Sequence, residues 1–395
     1  MSQKPCVAGV GMIPFVKPGT SGSYIEMGAE AARLALKDAG LDYSRVQQAY
    51  VGYVYGDSTC GQAALYEVGM SGIPVVNVNN NCSTGSSALY LARQAVESGA
   101  VECAIALGFE QMQPGALKDQ WSDRPAPMSK LLELTNDIAS DAHDIPMALR
   151  MFGGAGREHM QKYGTKLETF AAIRAKASRH AANNPLAMFR KVVTTEDVMN
   201  DQVVWPGVMT RLMACPPTCG AAAAIICSEA FAKKHGLRTD VVILAQSMTT
   251  DRPVALEARS MIEVVGFDMA LQASEEVYEK AGVDPRDIRV AELHDCFAHN
   301  ELLTYESLGF CRVGGAEKFV LDGDNTYGGQ VVTNPSGGLL SKGHPLGATG
   351  LAQCYELTRQ LRGAAQATQV EGVNLALQHN LGLGGACVVT LYGRA

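Results

Sequence analysis

A cysteine and a histidine stand in matching settings far apart in this chain. Cys82 lies in Asn79-Asn-Asn-Cys-Ser-Thr-Gly-Ser-Ser-Ala-Leu89, and His344 in Asn334-Pro-Ser-Gly-Gly-Leu-Leu-Ser-Lys-Gly-His-Pro-Leu-Gly-Ala-Thr-Gly350. Aligning the two puts Gly85 with Gly347 and Leu89 with Leu351. Each reactive residue is followed by small residues and then by an apolar, helix-forming run. The chemistry such a pair offers is nucleophilic attack by sulfur. An ordinary thiol, with a pKa of about 8.5, is only a few per cent ionised near neutrality. A helix start and a nearby imidazole both raise the thiolate fraction, so Cys82 is expected to ionise more easily than usual. A free cysteine is more often a small buried hydrophobe. The three asparagines before Cys82 argue against an ordinary core strand.

Two further segments carry reactive types. Leu293-His-Asp-Cys-Phe-Ala-His299 reads as the end of a strand, with His294 and Cys296 on one face and Asp295 on the other. An imidazole N–H can hold a developing oxyanion, and a thiol can carry a proton. A metal held by His294, Cys296 and His299 is the rival, without a clear fourth ligand. Gln378-His-Asn-Leu-Gly-Leu-Gly-Gly-Ala-Cys387 precedes a strand, so it is no dinucleotide fingerprint. Its glycines, Gly384 and Gly385 among them, can present N–H groups to an oxyanion or form a plain hairpin. Cys215 and Cys219 have a zinc-like spacing but no matching second pair. No metal is expected.

These residues need a scaffold, and the chain repeats itself to supply one. Met27–Val46 and Met269–Ile288 are both amphipathic helices ending at Ala-Gly, with Gly40 and Gly282 as C-cap glycines and an acidic turn after each. Strand-like runs follow at Ala49 and Ala291. The Cys82 and His344 segments continue the match, each leading to a helix and then to a strand at Cys103–Gly108 or Val373–Gln378. Alternating helix and strand patterns predict an α/β fold of two related halves, joined near residues 229–241. Pseudo-symmetric halves bring Cys82 opposite His344. The first half carries an extra stretch, about Gln113–Pro206, of the kind that covers a ligand site. Its basic residues Arg174, Lys176, Arg179, Arg190 and Lys191 are candidates for phosphate contacts, or else solvated helix faces.

At 395 residues and 47% hydrophobic, the chain can bury a large core or two packed halves. A net charge of −7 argues against a nucleic-acid partner. Eleven cysteines without framework spacing suit a reducing compartment, and the expected location is cytoplasmic. No signal peptide, membrane-length apolar run or peroxisomal C-terminus is read in the sequence.

The segment Asn334–Gly350 resembles the thiolase signature around its catalytic histidine, and Asn-Cys82-Ser-Thr-Gly-Ser resembles the loop of the thiolase nucleophile. The resemblance spans essentially the whole chain. Ordinary thiolases carry Asn-Glu-Ala-Phe where this chain has His294-Asp-Cys-Phe297, and a second cysteine near the position of His379. Both departures are shared by the sterol-carrier-protein type of thiolase. The runs Val51–Gly61, Asp324–Gly329 and Gln378–Gly385 are similar to that subfamily too. Its mammalian form has a fused sterol-carrier domain, which is not expected here.

The resemblance implies a thiolase fold: two pseudo-symmetric βαβαβαββ halves in five layers (α-β-α-β-α) with an inserted loop domain. The boundaries expected are 1–112 with 207–235 for the N-terminal half, 113–206 for the loop domain and 236–395 for the C-terminal half. It implies coenzyme A as co-substrate with no permanently bound cofactor, a 3-oxoacyl-CoA substrate, and a homodimer or tetramer. A separate sterol-carrier or acyl-CoA-handling protein is a further partner it suggests. Cys82 is then the nucleophile, His344 its base, Cys296 the proton shuttle, and His294 with His344 the holder of the enolate oxygen. The N–H groups of Cys82 and the Gly384 region form a second oxyanion hole, and His379 lines the site. The rival readings are a decarboxylating or aldolase-type enzyme on the same fold, or a non-catalytic acyl-CoA or lipid carrier.

Overall fold

The computed structural model describes residues 4–113 and 121–395. Its strands are β1 (Pro5–Met12), β2 (Gln48–Gly52), β3 (Val75–Val78), β4 (Cys103–Glu110), β5 (Val203–Trp205), β6 (Met209–Thr210), β7 (Gly220–Ser228), β8 (Val241–Thr249), β9 (Val290–Glu292), β10 (Val332–Thr333), β11 (Leu375–Gly382) and β12 (Ala386–Arg394). β5 and β6 form a small hairpin. The rest make one ladder in the order β10-β9-β11-β12-β8-β1-β7-β4-β2-β3.

Read outward from its middle, the ladder is the same twice. β1-β7-β4-β2-β3 on one side corresponds to β8-β12-β11-β9-β10 on the other. The seam between them is a single pairing, Cys6 with Val242. In each half two strands flank a third in parallel, β3 and β4 around β2, and β10 and β11 around β9. The last strand of each half, β7 or β12, then pairs antiparallel.

The repeated sequence is repeated structure. Helix Tyr24–Ala39 ends at Gly40 with φ 69°, and helix Phe267–Ala281 ends at Gly282 with φ 65°. This left-handed cap carries no Cβ penalty at glycine. Asp42 and Asp284 then cap equivalent single turns of 3₁₀ helix that lead into β2 and β9.

Three apolar clusters account for the layering. One lies on the outer face of the first half, between helix Tyr24–Ala39 and strands such as β4 and β7. A second lies on the outer face of the other half and extends into the inserted segment. The third is shared. Leu89 and Ala92 from helix Thr84–Glu97 meet Leu351 and Ala352 from helix Thr349–Leu361, flanked by the inner faces of both sets of strands. Two helices therefore sit at the centre, sheet on either side, and helices outside. β7 (Gly-Ala-Ala-Ala-Ala-Ile-Ile-Cys-Ser) is buried throughout, because it is covered on both faces.

The inserted segment contains helices Ser129–Ile138, Met147–Tyr163 and Leu167–Ala181. Its anchoring corrects one sequence expectation. Arg174 and Lys176 do not face phosphate or solvent: both are buried against the second half. Arg174 donates to Ser341 Oγ at 2.7 Å. Lys176 pairs with Glu301 and also bonds Thr333. Arg190 and Lys191 are exposed, with the Arg190 guanidinium on the Ala182 carbonyl. Among the described residues, no helix is long and apolar enough to cross a membrane.

Candidate active site

The two central helices begin nose to nose, and this brings the reactive residues together. A Cβ on Gly85 would lie 2.7 Å from the Gly347 carbonyl oxygen, and one on Gly347 would lie 2.3 Å from Phe109 O. Neither position admits a side chain, so the helix starts approach backbone to backbone. Cys82 and His344 sit just before these contacts. A donor atom from each of Cys82, His294 and His344 lies within 4.8 Å of the other two. The His294 and His344 rings meet edge to face, with centroids 5.1 Å apart.

Hydrogen bonds fix the state of His344. The Thr349 hydroxyl donates to the Pro345 carbonyl at 2.9 Å, so it accepts from His344 Nδ1 at 2.7 Å. Nδ1 thus carries the proton and Nε2 the lone pair. That Nε2 is buried and has no partner among the described residues. Burial pushes the His344 pKa down to about 3, so the ring is a neutral acceptor. Thr218 holds the loop by accepting the His344 backbone N–H at 3.0 Å.

Cys82 departs from expectation. Burial, helped by the Glu110 carboxyl, pushes its thiol up to about 12. The backbone N–H groups of Leu383 and of Cys82 itself oppose this shift and do not overcome it. The helix start is real, but it loses to desolvation in a closed site. The resting pair is therefore neutral thiol and neutral imidazole.

His294 and Cys296 lie on a loop, since β9 stops at Glu292. Asp295 explains why the strand ends: its buried carboxylate turns inward and accepts the backbone N–H groups of Leu339 and Leu340. The loop then docks on a neighbour that sequence reasoning treated as a poor zinc site. The Cys215 backbone N–H donates to the Cys296 carbonyl at 2.8 Å. Cys215 is close enough to Cys296 for their charges to interact, and so is Cys82. Burial holds the Cys296 thiol well above its ordinary value. His299 is turned away from this group. It bonds the Val208 carbonyl at 2.9 Å and stacks on Phe170.

His379 lies on β11, where its Nδ1 accepts the His294 backbone N–H at 3.4 Å. Its neighbours Gln378 and Asn380 point to the opposite face, towards helix Thr84–Glu97. Gly384 and Gly385, at φ 95° and 103°, form the turn between β11 and β12. This turn, the Asn79–Asn81 run and Met128, Leu132 and Met147 line a cleft of about 510 Å³ beside Cys82. Sequence reasoning missed Asn380, Thr218, Thr349 and Glu110. Thr349 and Asn380 lie inside segments already singled out, but nothing in residue type alone gave them a role.

Glu110 closes β4 and is fully buried. It accepts N–H groups from Tyr55 at 2.9 Å, Val54 at 3.1 Å and Gly347 at 2.9 Å, which ties both halves' loops to one carboxyl. Burial nevertheless raises its pKa from 4.5 to about 7. A folded-state pKa above the unfolded one means the fold holds the proton more tightly. Stability therefore falls as pH rises from about 4.5 through 7. Denaturation midpoints across that window are expected to drop for the wild type and to flatten for Glu110→Gln.

Residues 6–230 match the family description "Thiolase, N-terminal domain" and residues 255–392 match "Thiolase C-terminal domain-like". The chain belongs to the thiolase family. It is 56% identical to sterol carrier protein 2 of Oryctolagus cuniculus over 98% of this chain and 71% of that protein. It is 44% identical to non-specific lipid-transfer protein-like 2 of Caenorhabditis elegans, covering 98% of this chain and 96% of that one. These relatives make it similar to the sterol-carrier-protein type of thiolase. Two solved structures share the fold. The Ltp2-ChsH2(DUF35) aldolase has a TM-score of 0.82 at 23% identity, covering 100% of this chain and 98% of that one. Human mitochondrial 3-ketoacyl-CoA thiolase in complex with CoA has a TM-score of 0.72 at 18% identity, with the same coverage. Thiolase-type acyl-CoA chemistry is thus the class of reaction.

Proposed function

We propose that this chain cleaves 3-oxoacyl-CoA thiolytically, with coenzyme A as co-substrate and Cys82 as the acylated residue. The observation that carries the reading is the Cys82, His294 and His344 group within 4.8 Å, with Cys296 close to Cys82 and the cleft lined by Asn79–Asn81 and Gly384–Gly385 next to it. Cys82 passes its proton to His344 Nε2 as its sulfur attacks the 3-oxo carbon. The new alkoxide meets the N–H groups of Cys82 and of the Leu383–Gly384 turn. The C2–C3 bond breaks, and the thioester enolate oxygen is held by His294 and the now protonated His344. Cys296 gives its proton to C2, and acetyl- or propionyl-CoA leaves, with the shortened acyl chain still on Cys82. The Cys296 thiolate then takes the proton of an incoming CoA thiol, which attacks the acyl group on Cys82. His344 returns its proton to sulfur, and the cycle closes.

Met128, Leu132 and Met147 support a bulky or 2-methyl-branched acyl chain, because methionine adapts to irregular apolar shapes. Steroid side chains fall within that range, and fatty-acid or sterol side-chain β-oxidation is the setting it suits. The same reading makes 113–206 the cover over the site, with Arg190 and Lys191 near enough to solvent to meet CoA phosphates. β3 ends the ladder, and its half-exposed outer edge has no strand partner among the described residues, which supports association of two copies there as a dimer or tetramer. The eleven cysteines are all free, in keeping with a reducing, cytoplasmic setting. A separate sterol-carrier or acyl-CoA-handling protein would deliver substrate.

The test is CoA-dependent cleavage of a 3-oxoacyl-CoA, with intact-mass analysis of the protein. Cys296→Ala is expected to keep the acyl mass on Cys82 and to lose turnover by about 10²–10⁴-fold, the range for a proton-transfer group. Cleavage without free CoA and without an adduct would favour the aldolase-type reading. Binding without cleavage would favour a carrier.

A further inference from the structure

Asn380 sits between the nucleophile and His294, and its orientation can be read from fixed points at both ends. At one end, Gln378 Nε2 donates to the Gly350 carbonyl at 2.7 Å, while Gln378 Oε1 accepts from the Tyr392 hydroxyl. Gln378 Nε2 also donates to Ser86 Oγ at 2.8 Å. The Ser86 hydroxyl hydrogen is therefore free to go to Asn380 Oδ1, 2.8 Å away. At the other end, Asn380 Nδ2 faces the Cys82 carbonyl at 3.2 Å, an atom that can only accept. A carbonyl at each end leaves one amide orientation for both Gln378 and Asn380. Asn380 Nδ2 then donates its second hydrogen to His294 Nδ1 at 3.0 Å.

We infer that Asn380 is a positioning residue that holds His294 in the tautomer protonated on Nε2. Its consequence is a division of labour between two adjacent imidazoles. His344, bonded to Thr349, presents a lone pair from Nε2, whereas His294 presents an N–H. One ring can take the Cys82 proton, and the other can donate to an anionic oxygen from the start. The same arrangement bears on the one group of metal-type donors among the described residues, Cys82, His294 and His344. A ligating imidazole needs its lone pair on the metal side and its other N–H on an acceptor. Asn380 offers His294 a donor instead, so it disfavours a soft divalent ion in the site.

The tautomer is measured directly by nitrogen NMR on protein labelled with ¹⁵N-histidine, with the His294 resonances assigned by loss in His294→Asn. The wild type is expected to show a protonated Nε2 and a bare Nδ1 at His294. In Asn380→Asp the carboxylate accepts from Nδ1, so the pattern is expected to reverse. That variant is also expected to show a thiolate-to-cobalt absorption band when Co²⁺ is added, with no such band in the wild type. Its thiolysis kcat is expected to fall about 10²–10³-fold, the cost of one oxyanion donor, with KM little changed. A wild-type spectrum showing Nδ1–H overturns the inference, and needs no variant to fold. An unreversed pattern in folded Asn380→Asp overturns it too. The rate effect rests on the thiolase reading, but the nitrogen spectra and the cobalt band do not, so a wrong reaction and a wrong tautomer are told apart.

Discussion

Cys82→Ala is expected to abolish both the acyl mass and thiolysis, with turnover falling on the order of 10⁶-fold, as when other covalent enzymes lose their nucleophile. The structure gives two reasons for so large an effect. Cys296 and Cys215 are close by, but burial raises both thiols just as it raises that of Cys82, and neither belongs to the group that brings Cys82 within 4.8 Å of His294 and His344. His344, whose Nε2 has no partner among the described residues, also has a ring nitrogen within 4.8 Å of the Cys82 sulfur. Substrate affinity is expected to change little, because the cleft walls are untouched. Intact-mass spectrometry with a 3-oxoacyl-CoA, alongside a CoA-release assay, checks both parts. An acyl adduct on the variant would mean that sulfur attack occurs elsewhere.

Lys176→Met is expected to cost about 3–5 kcal/mol of stability, the scale for leaving one partner of a buried ion pair unpaired. Lys176 and Glu301 are both buried, with side chains 2% and 0% exposed. Glu301 Oε1 also accepts from Tyr305 Oη at 2.7 Å and Thr333 Oγ1 at 3.0 Å, while its Oε2 has no partner among the described residues. Removing the ammonium strands a carboxylate in the core. The double variant Lys176→Met/Glu301→Leu is expected to recover most of the loss, since an apolar pair of similar volume avoids the desolvation cost. Chemical denaturation of the three proteins separates these outcomes. Catalysis is expected to suffer in the single variant as well. Thr333 leads into Asn334, whose Oδ1 holds the Leu293 N–H at 2.7 Å, one residue before His294.

Much of the architecture was readable from sequence because the chain states it twice. Helix, Ala-Gly stop, acidic turn and strand recur around residues 40 and 282, and local chemistry sets each of these: a φ-positive cap, an aspartate on an N–H, a buried apolar run. The meeting of Cys82 with His344 followed from that symmetry. What stayed hidden was set by tertiary burial. Arg174 and Lys176 read as surface charges on a helix, because sequence shows residue type and not the wall the helix leans on. Cys82 read as an easily ionised thiol, because a helix start is local and desolvation is not. His294 and Cys296 read as strand residues, because the carboxylate–amide contacts of Asp295 reach more than forty positions along the chain. Asn380 looked like one polar residue in a glycine-rich loop. Its role depends on Gln378, Ser86 and Gly350, which only the packed central helices bring to it.

The bare backbone contact of Gly85 with Gly347 has a mechanical consequence. Most enzymes hang their reacting groups on loops, whose compliance blurs distances. Here the short loops that carry sulfur and base run straight into two helix ends butted together at the centre of the molecule, as fixed stops set the gap of a gauge. Any slip of one half against the other would pass undiminished into the proton-transfer distance. The pair therefore has the stiffness of a protein core, and the motion needed for turnover falls to the substrate and to the outer walls of the cleft.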